Sequence, residues 1–217
     1  MGALGAIPLV GDAARKSIKV YHGGSFKGGD VDAGKAQRAN LGVFYSTTDK
    51  EAADNFSKSG FFDDDTVDAS RGGGVFEFDV FEDDLIDLDS FSSSEVIDSI
   101  GRDEIADLIR RDSPDEYDNF IREAESDGFE DVDEWFLSGN ADHSLKKYIE
   151  DVDPDSSFEG PSVANTKAGA FLAANDEFPE VILEKKGKIG FKYKDSDMGG
   201  TTVALSDRVN ATDLLKR

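Results

Sequence analysis

The sequence predicts an α+β fold: short strands early and late in the chain, with a helical and strongly acidic stretch between them. Three observations predict it. Segments rich in β-branched and aromatic residues, bounded by Gly or Asp, occur at 18–22, 43–47, 74–80, 180–184, 189–193 and 202–206, and such segments read as strands. Between 94 and 150 the apolar spacing changes to threes and fours, as at Val96, Ile97, Ile100, Ile105, Leu108 and Ile109, the period of amphipathic helices. The charge is uneven too. Residues 81–160 hold 27 acidic and 6 basic side chains, a net −21, whereas the other 137 residues hold 20 and 18, a net −2.

A salt-adapted surface would spread its acid along the chain. This distribution instead suggests an acidic module set into a near-neutral scaffold. With 217 residues the chain suits one domain carrying a sizeable insertion. A net charge of −23 argues against nucleic acid and anionic membrane as partners and suits a basic protein. Cysteine is absent, which excludes disulfides and thiolate metal sites, and two histidines argue against a histidine-rich one. No run of 18 apolar residues predicts a transmembrane helix, so a soluble protein is expected.

Residues 1–16 (MGALGAIPLVGDAARK) lack a basic start, and Gly5, Pro8 and Gly11 break their apolar stretch. They read as a short packing or linking helix, not a secretory signal. Ala6 stands where a myristoylation pattern has Ser or Thr. The first strand ends at His22 and runs straight into Gly23 and Gly24; residues 23–41 read as a loop. The second strand delivers Tyr45. Thr48 or Asp49 then caps a helix over 49–58 that carries Ala52, Ala53 and Phe56. Residues 60–73 form a second loop, and in 74–80 Phe76, Phe78 and Val80 alternate with Val75, Glu77 and Asp79. The middle predicts three or four short helices with Ser94, Ser113 and Asp131 as N-caps and Pro114 at a first helical position. Further helices are expected over 163–175 and 209–216.

Two motifs carry chemistry. In KVYHGG (19–24) the glycines let a ligand approach the backbone closely, and His22 can hydrogen-bond a hydroxyl without permanent charge. Alone, a histidine at a strand end is more often a structural hydrogen-bonder. VFYSTTDKEAADNF (43–56) is a strand, a turn and a helix with an aromatic face; alone, it too reads as ordinary core.

Together and in this order, YHGG, VFYSTTD and AADNF resemble the H-Y branch of the ADP-ribosyltransferases, which includes diphtheria-toxin-like and poly(ADP-ribose)-polymerase-like enzymes. The similarity is strongest to small phage and bacterial relatives with YHG on the first strand. GVFEFDVFEDDLIDLD (74–89) is similar to the family's next strand, and TTVALSDRVNATDLL (201–215) to its closing strand and short helix. IPLVGDA resembles segments upstream of effector domains in phage and polymorphic-toxin polyproteins. The resemblance covers 1–90 and 162–217. It implies a split, mainly antiparallel ADP-ribosyltransferase core over 17–90 and 161–217, after an N-terminal linker at 1–16, with an acidic helical insertion at 91–160.

The resemblance also implies NAD as the substrate. His22 would hold the adenosine ribose. The backbone of Gly23, beside Gly24, would pair with the nicotinamide carboxamide. Tyr45 would stack on the nicotinamide ring, with Phe56 as the opposite wall. The family's glutamate at the start of the closing strand is missing. Thr201 or Gly200 stands there, and Asp197, on the preceding loop, is the carboxylate that would substitute for it. The implied activity is mono-ADP-ribosylation of a protein acceptor, a basic one suiting the acidic insertion. The protein would be phage-encoded and act in a host cytoplasm or on the virion. An inactive interaction protein and an NAD glycohydrolase remain the alternatives.

Other motifs are weaker. DVDPDSSFE (151–159) resembles a calcium loop but has Ser156 and Ser162 where Gly and Glu belong. His143 reads as a surface residue and Trp135 as core.

Overall fold

The computed structural model describes residues 15–24, 44–59, 74–151, 166–175, 177–195 and 200–206. The chain is mixed α+β. Its strands are β1 (Ser17–Gly24), β2 (Phe44–Thr47), β3 (Gly74–Phe81), β4 (Leu85–Asp87), β5 (Gly190–Asp195) and β6 (Gly200–Leu205). They form one sheet in the order β3-β1-β2-β6-β5-β4. Every pairing is antiparallel except β4 with β5. The expected second loop, the terminal helix over 209–216 and all of the calcium-like loop but Asp151 lie outside the described residues, as does the first loop beyond Gly24; Gly23 and Gly24, expected in that loop, belong to β1.

Helix α1 (Lys50–Ser59) follows β2 directly. Asp49 is its cap: one carboxylate oxygen accepts from the amides of Glu51 (2.8 Å) and Ala52 (3.1 Å). The middle of the chain holds five helices, one more than the upper expectation: α2 (Ser93–Ile100), α3 (Arg102–Asp112), α4 (Pro114–Ser126), α5 (Val132–Leu137) and α6 (Asp142–Asp151). Ser92, not Ser94, caps α2, because Glu95 falls three residues after it and closes a reciprocal capping box. Asp131 caps α5 as expected, and Pro114 opens α4.

Two helices follow, α7 (Lys167–Ala174) and α8 (Phe178–Lys186). The predicted strand at 180–184 is therefore a helix. Its β-branched residues suggested a strand, but Pro179 opens a helical turn, Lys185 and Lys186 close it, and Gly187 ends it at φ 62°. Phe178, Ile182 and Leu183 are buried while Val181 is exposed, a helical pattern. The apolar–acidic run 74–89 is likewise two strands. A 3-10 turn at Glu82–Asp84 breaks it and carries β4 to the opposite edge of the sheet.

The sheet's two faces differ. One packs against helices α2 to α8 around a large cluster that includes Ile100, Ile109, Phe120, Trp135, Phe171, Phe191, Tyr193 and Ala204. Trp135 is 1% exposed, and its indole N–H donates to Asp127 (2.8 Å). Tyr45 packs against this cluster from β2. The other face buries a smaller cluster of Val20, Phe44, Phe78, Val80, Leu85, Val203 and Leu205. Acidic side chains of the helices face water, and His143 is exposed as expected. Among the described residues no helix is long and apolar enough to cross a membrane.

Candidate functional site

The two sequence motifs meet at the seam between β1 and β2. β1 runs in register with β3 over eight residue pairs, from Ser17↔Phe81 to Gly24↔Gly74. With β2 it makes a single ladder pair among the described residues, Tyr21↔Thr47. Beyond that pair a side chain bridges the seam: His22 Nδ1 lies 2.6 Å from the carbonyl oxygen of Tyr45. A carbonyl only accepts, so Nδ1 carries the hydrogen, and in the neutral ring Nε2 is the acceptor nitrogen.

Strand alternation puts these residues on different faces. His22, Phe44 and Ser46 lie on the face of the smaller cluster. Gly23, Tyr45 and Thr47 lie on the opposite one. The His22 ring stacks on Phe44, with ring centroids 4.1 Å apart and planes inclined by 23°. It leans over Gly24, where an added Cβ would lie 2.8 Å from Nε2. Burial holds the imidazole below the ordinary histidine pKa, and the hydrogen bond to Tyr45 opposes that shift only in part. His22 is therefore neutral at pH 7, with its acceptor nitrogen over a glycine.

Gly23 has a packing reason of its own. A methyl there would collide with the carbonyl oxygen of Ala53, so α1 approaches β1 closely at this point. Phe56 is half-buried one turn beyond Ala53, on the helix face turned to the strand. The structure thus brings His22, Gly23, Gly24 and Tyr45 to one seam but divides them between its faces: the His22 ring lies over Gly24 and Phe44 on one side, and the Tyr45 ring, Gly23 and the helix that carries Phe56 lie on the other.

Thr201 stands apart from His22, two strands away across β2. Its backbone is tied to Thr48: Thr48 N–H donates to the Thr201 carbonyl (3.0 Å), and Thr201 N–H donates to Thr48 Oγ1 (2.9 Å). This resolves the capping alternative, since the Thr48 hydroxyl serves β6 and Asp49 serves the helix. Asp197 lies outside the described residues.

Ser46 belongs to neither role that the motifs imply. Its residue is 3% exposed, and its hydroxyl is the buried side-chain oxygen with no hydrogen-bond partner among the described residues. The available signal was its parity: in FYST it shares a face with Phe44, where an apolar residue is the ordinary choice. No group of three or more potential metal ligands occurs among the described residues.

Comparison with known proteins found no matching family model, no matching curated protein and no matching solved structure.

Proposed function

We propose that the chain binds NAD at the β1–β2 seam and transfers its ADP-ribosyl group to a protein side chain. One observation carries the reading. The His22 ring of the first family-like motif hydrogen-bonds the backbone carbonyl of Tyr45 in the second, 23 residues away, so the two motifs meet at the β1–β2 seam. A neutral imidazole with an acceptor nitrogen suits a ribose hydroxyl, and an aromatic ring beside a glycine backbone suits a flat amide such as nicotinamide. In the reaction the ribose C1′–nitrogen bond breaks, nicotinamide leaves with the electron pair, and an acceptor nucleophile adds to the cationic carbon as it loses its proton.

Incubation of the protein with labelled NAD and a host-cell lysate tests this. Label on protein bands, lost in His22→Ala and Tyr45→Ala, is the expected result. Free ADP-ribose alone would make the protein a glycohydrolase, and an unchanged NAD pool would remove the reading.

A second reading, an NAD-binding protein without catalysis, is favoured by Gly200 and Thr201, which start β6 where the family has a glutamate. Turnover that rises in Thr201→Glu would support an active scaffold with a weakened catalytic group. NAD binding with no turnover in either protein would support the second reading.

A further inference from the structure

We propose that the Glu82–Asp84 turn is an electrostatic clasp that holds the two edges of the sheet together and opens locally as salt rises. The clasp does not depend on NAD binding. The order β3-β1-β2-β6-β5-β4 puts β3 and β4 at opposite edges. Laid flat, the strands would separate those edges by about 24 Å, at about 4.8 Å per neighbour. Only the turn lies between Phe81 and Leu85, a reach of about 14 Å at full extension. The sheet is therefore rolled, with the smaller cluster inside the roll. Val80 of β3 and Leu85 of β4 share that cluster, and among the described residues no helix contributes to it.

The turn is the point of closure. The Glu82 amide donates to the Lys16 carbonyl (2.9 Å) and so ends the β1–β3 ladder. The Asp84 carbonyl accepts from the Ile189 amide (2.9 Å) and so begins the β4–β5 ladder. Three successive carboxylates at such a point repel one another. Basic side chains from both edges hold them. From the β1 side, Arg15 pairs with Asp83 (3.1 Å) and with Asp84, and Lys16 pairs with Glu82 (2.9 Å). From the β5 side, Lys188 donates to the Asp83 carbonyl, and Lys192 lies between Asp87 (3.1 Å) and Glu82 (3.9 Å). Cations and carboxylates are thus balanced here, in a chain of net charge −23. Most of these side chains are partly open to water, where salt screens them. Screening therefore loosens the clasp while it relieves repulsion in the acidic helices, opposite effects in one molecule.

Native-state hydrogen exchange of the full-length protein tests this, read at the Glu82 and Ile189 amides and at the amides of α3 and α4. In the double variant Arg15→Met, Lys188→Met, the Glu82 and Ile189 amides are expected to exchange about tenfold faster, the scale of two exposed charge contacts, with α3 and α4 unchanged. In wild type, salt at about 0.5 M should speed exchange at the two turn amides and slow it in the helices, and the double variant should lose most of that response at the turn. If the double variant does not fold, Lys188→Gln alone should move the same amides in the same direction by less. Turn amides that keep wild-type rates in the variants, or that slow with salt as the helices do, would overturn the clasp. Equal acceleration at α3 and α4 would overturn it too, because the charges would then support the whole fold and not the closure.

Discussion

The two faces of the sheet are built differently. The helical face buries a large aromatic and aliphatic cluster under seven helices whose outer surfaces carry most of the acidic charge. The opposite face buries a small cluster and holds His22, a buried serine and Gly24 among its apolar residues. Stability is concentrated on the helical face, and the candidate site is divided, with the His22 ring on the smaller face and the Tyr45 ring on the helical one. Tyr45 links them, because its ring rests on the helical cluster while its carbonyl holds the His22 ring on the far side. The acidic helices thus support the site from behind.

The largest test of that division is Phe171→Ala. Phe171 is fully buried under the sheet, and its truncation should cost about 3–5 kcal/mol in denaturant unfolding. Because Tyr45 packs on the same cluster, NAD affinity should fall with stability; unchanged affinity would break the link between the faces.

Gly23→Ala comes next. The collision with Ala53 should cost about 1–3 kcal/mol and displace α1 from β1. Gly128→Ala in the helical layer, where φ is 87° but no atom crowds the added carbon, should cost only about 1 kcal/mol. Equal losses would mean that close approach is not what requires a glycine at Gly23.

A smaller effect concerns pH. Burial lowers the His22 pKa from its ordinary value near 6.5, so on acidification the unfolded chain takes up that proton first. His22 makes its full contribution above that value and loses it as the pH falls toward the folded-state pKa. Thermal melts of wild type and His22→Gln should diverge below about pH 6.5, with wild type losing more. NAD affinity should weaken only at the acid end of that range, where the folded-state imidazole itself takes up a proton, because a protonated Nε2 no longer accepts.

The smallest effect is on the helical surface. Arg102 grips both carboxylate oxygens of Asp142, at 2.7 and 2.9 Å, and each side chain is about a third exposed. Arg102→Met should cost about 0.2–1 kcal/mol. Added salt should raise the melting temperature of wild type despite screening this pair, because it also screens the repulsion within a stretch of net −21. A fall with salt would show that paired charges outweigh the repulsion.

Much of the architecture was legible. Five of the six predicted strand segments are strands, and the acidic middle is helical. The exception at 180–184 is instructive. Val181, Ile182 and Leu183 suit either state, and the deciding signals, Pro179 and Gly187, flank the run instead of lying in it. The site was legible in its residue types at His22 and Tyr45. It was not legible at Ser46, whose burial depends on which face of the sheet it occupies.

The sequence by itself determined the α+β class, the concentration of charge in the middle of the chain, and the two motifs, because periodicity, turn residues and charge act over a few neighbouring positions. Only the tertiary structure decided that β1 and β2 pair through Tyr21 and Thr47, that His22 reaches across the seam to the Tyr45 carbonyl, and that Gly23 is required by the approach of α1. Those facts depend on register and packing between segments distant in the chain, and no local pattern encodes them.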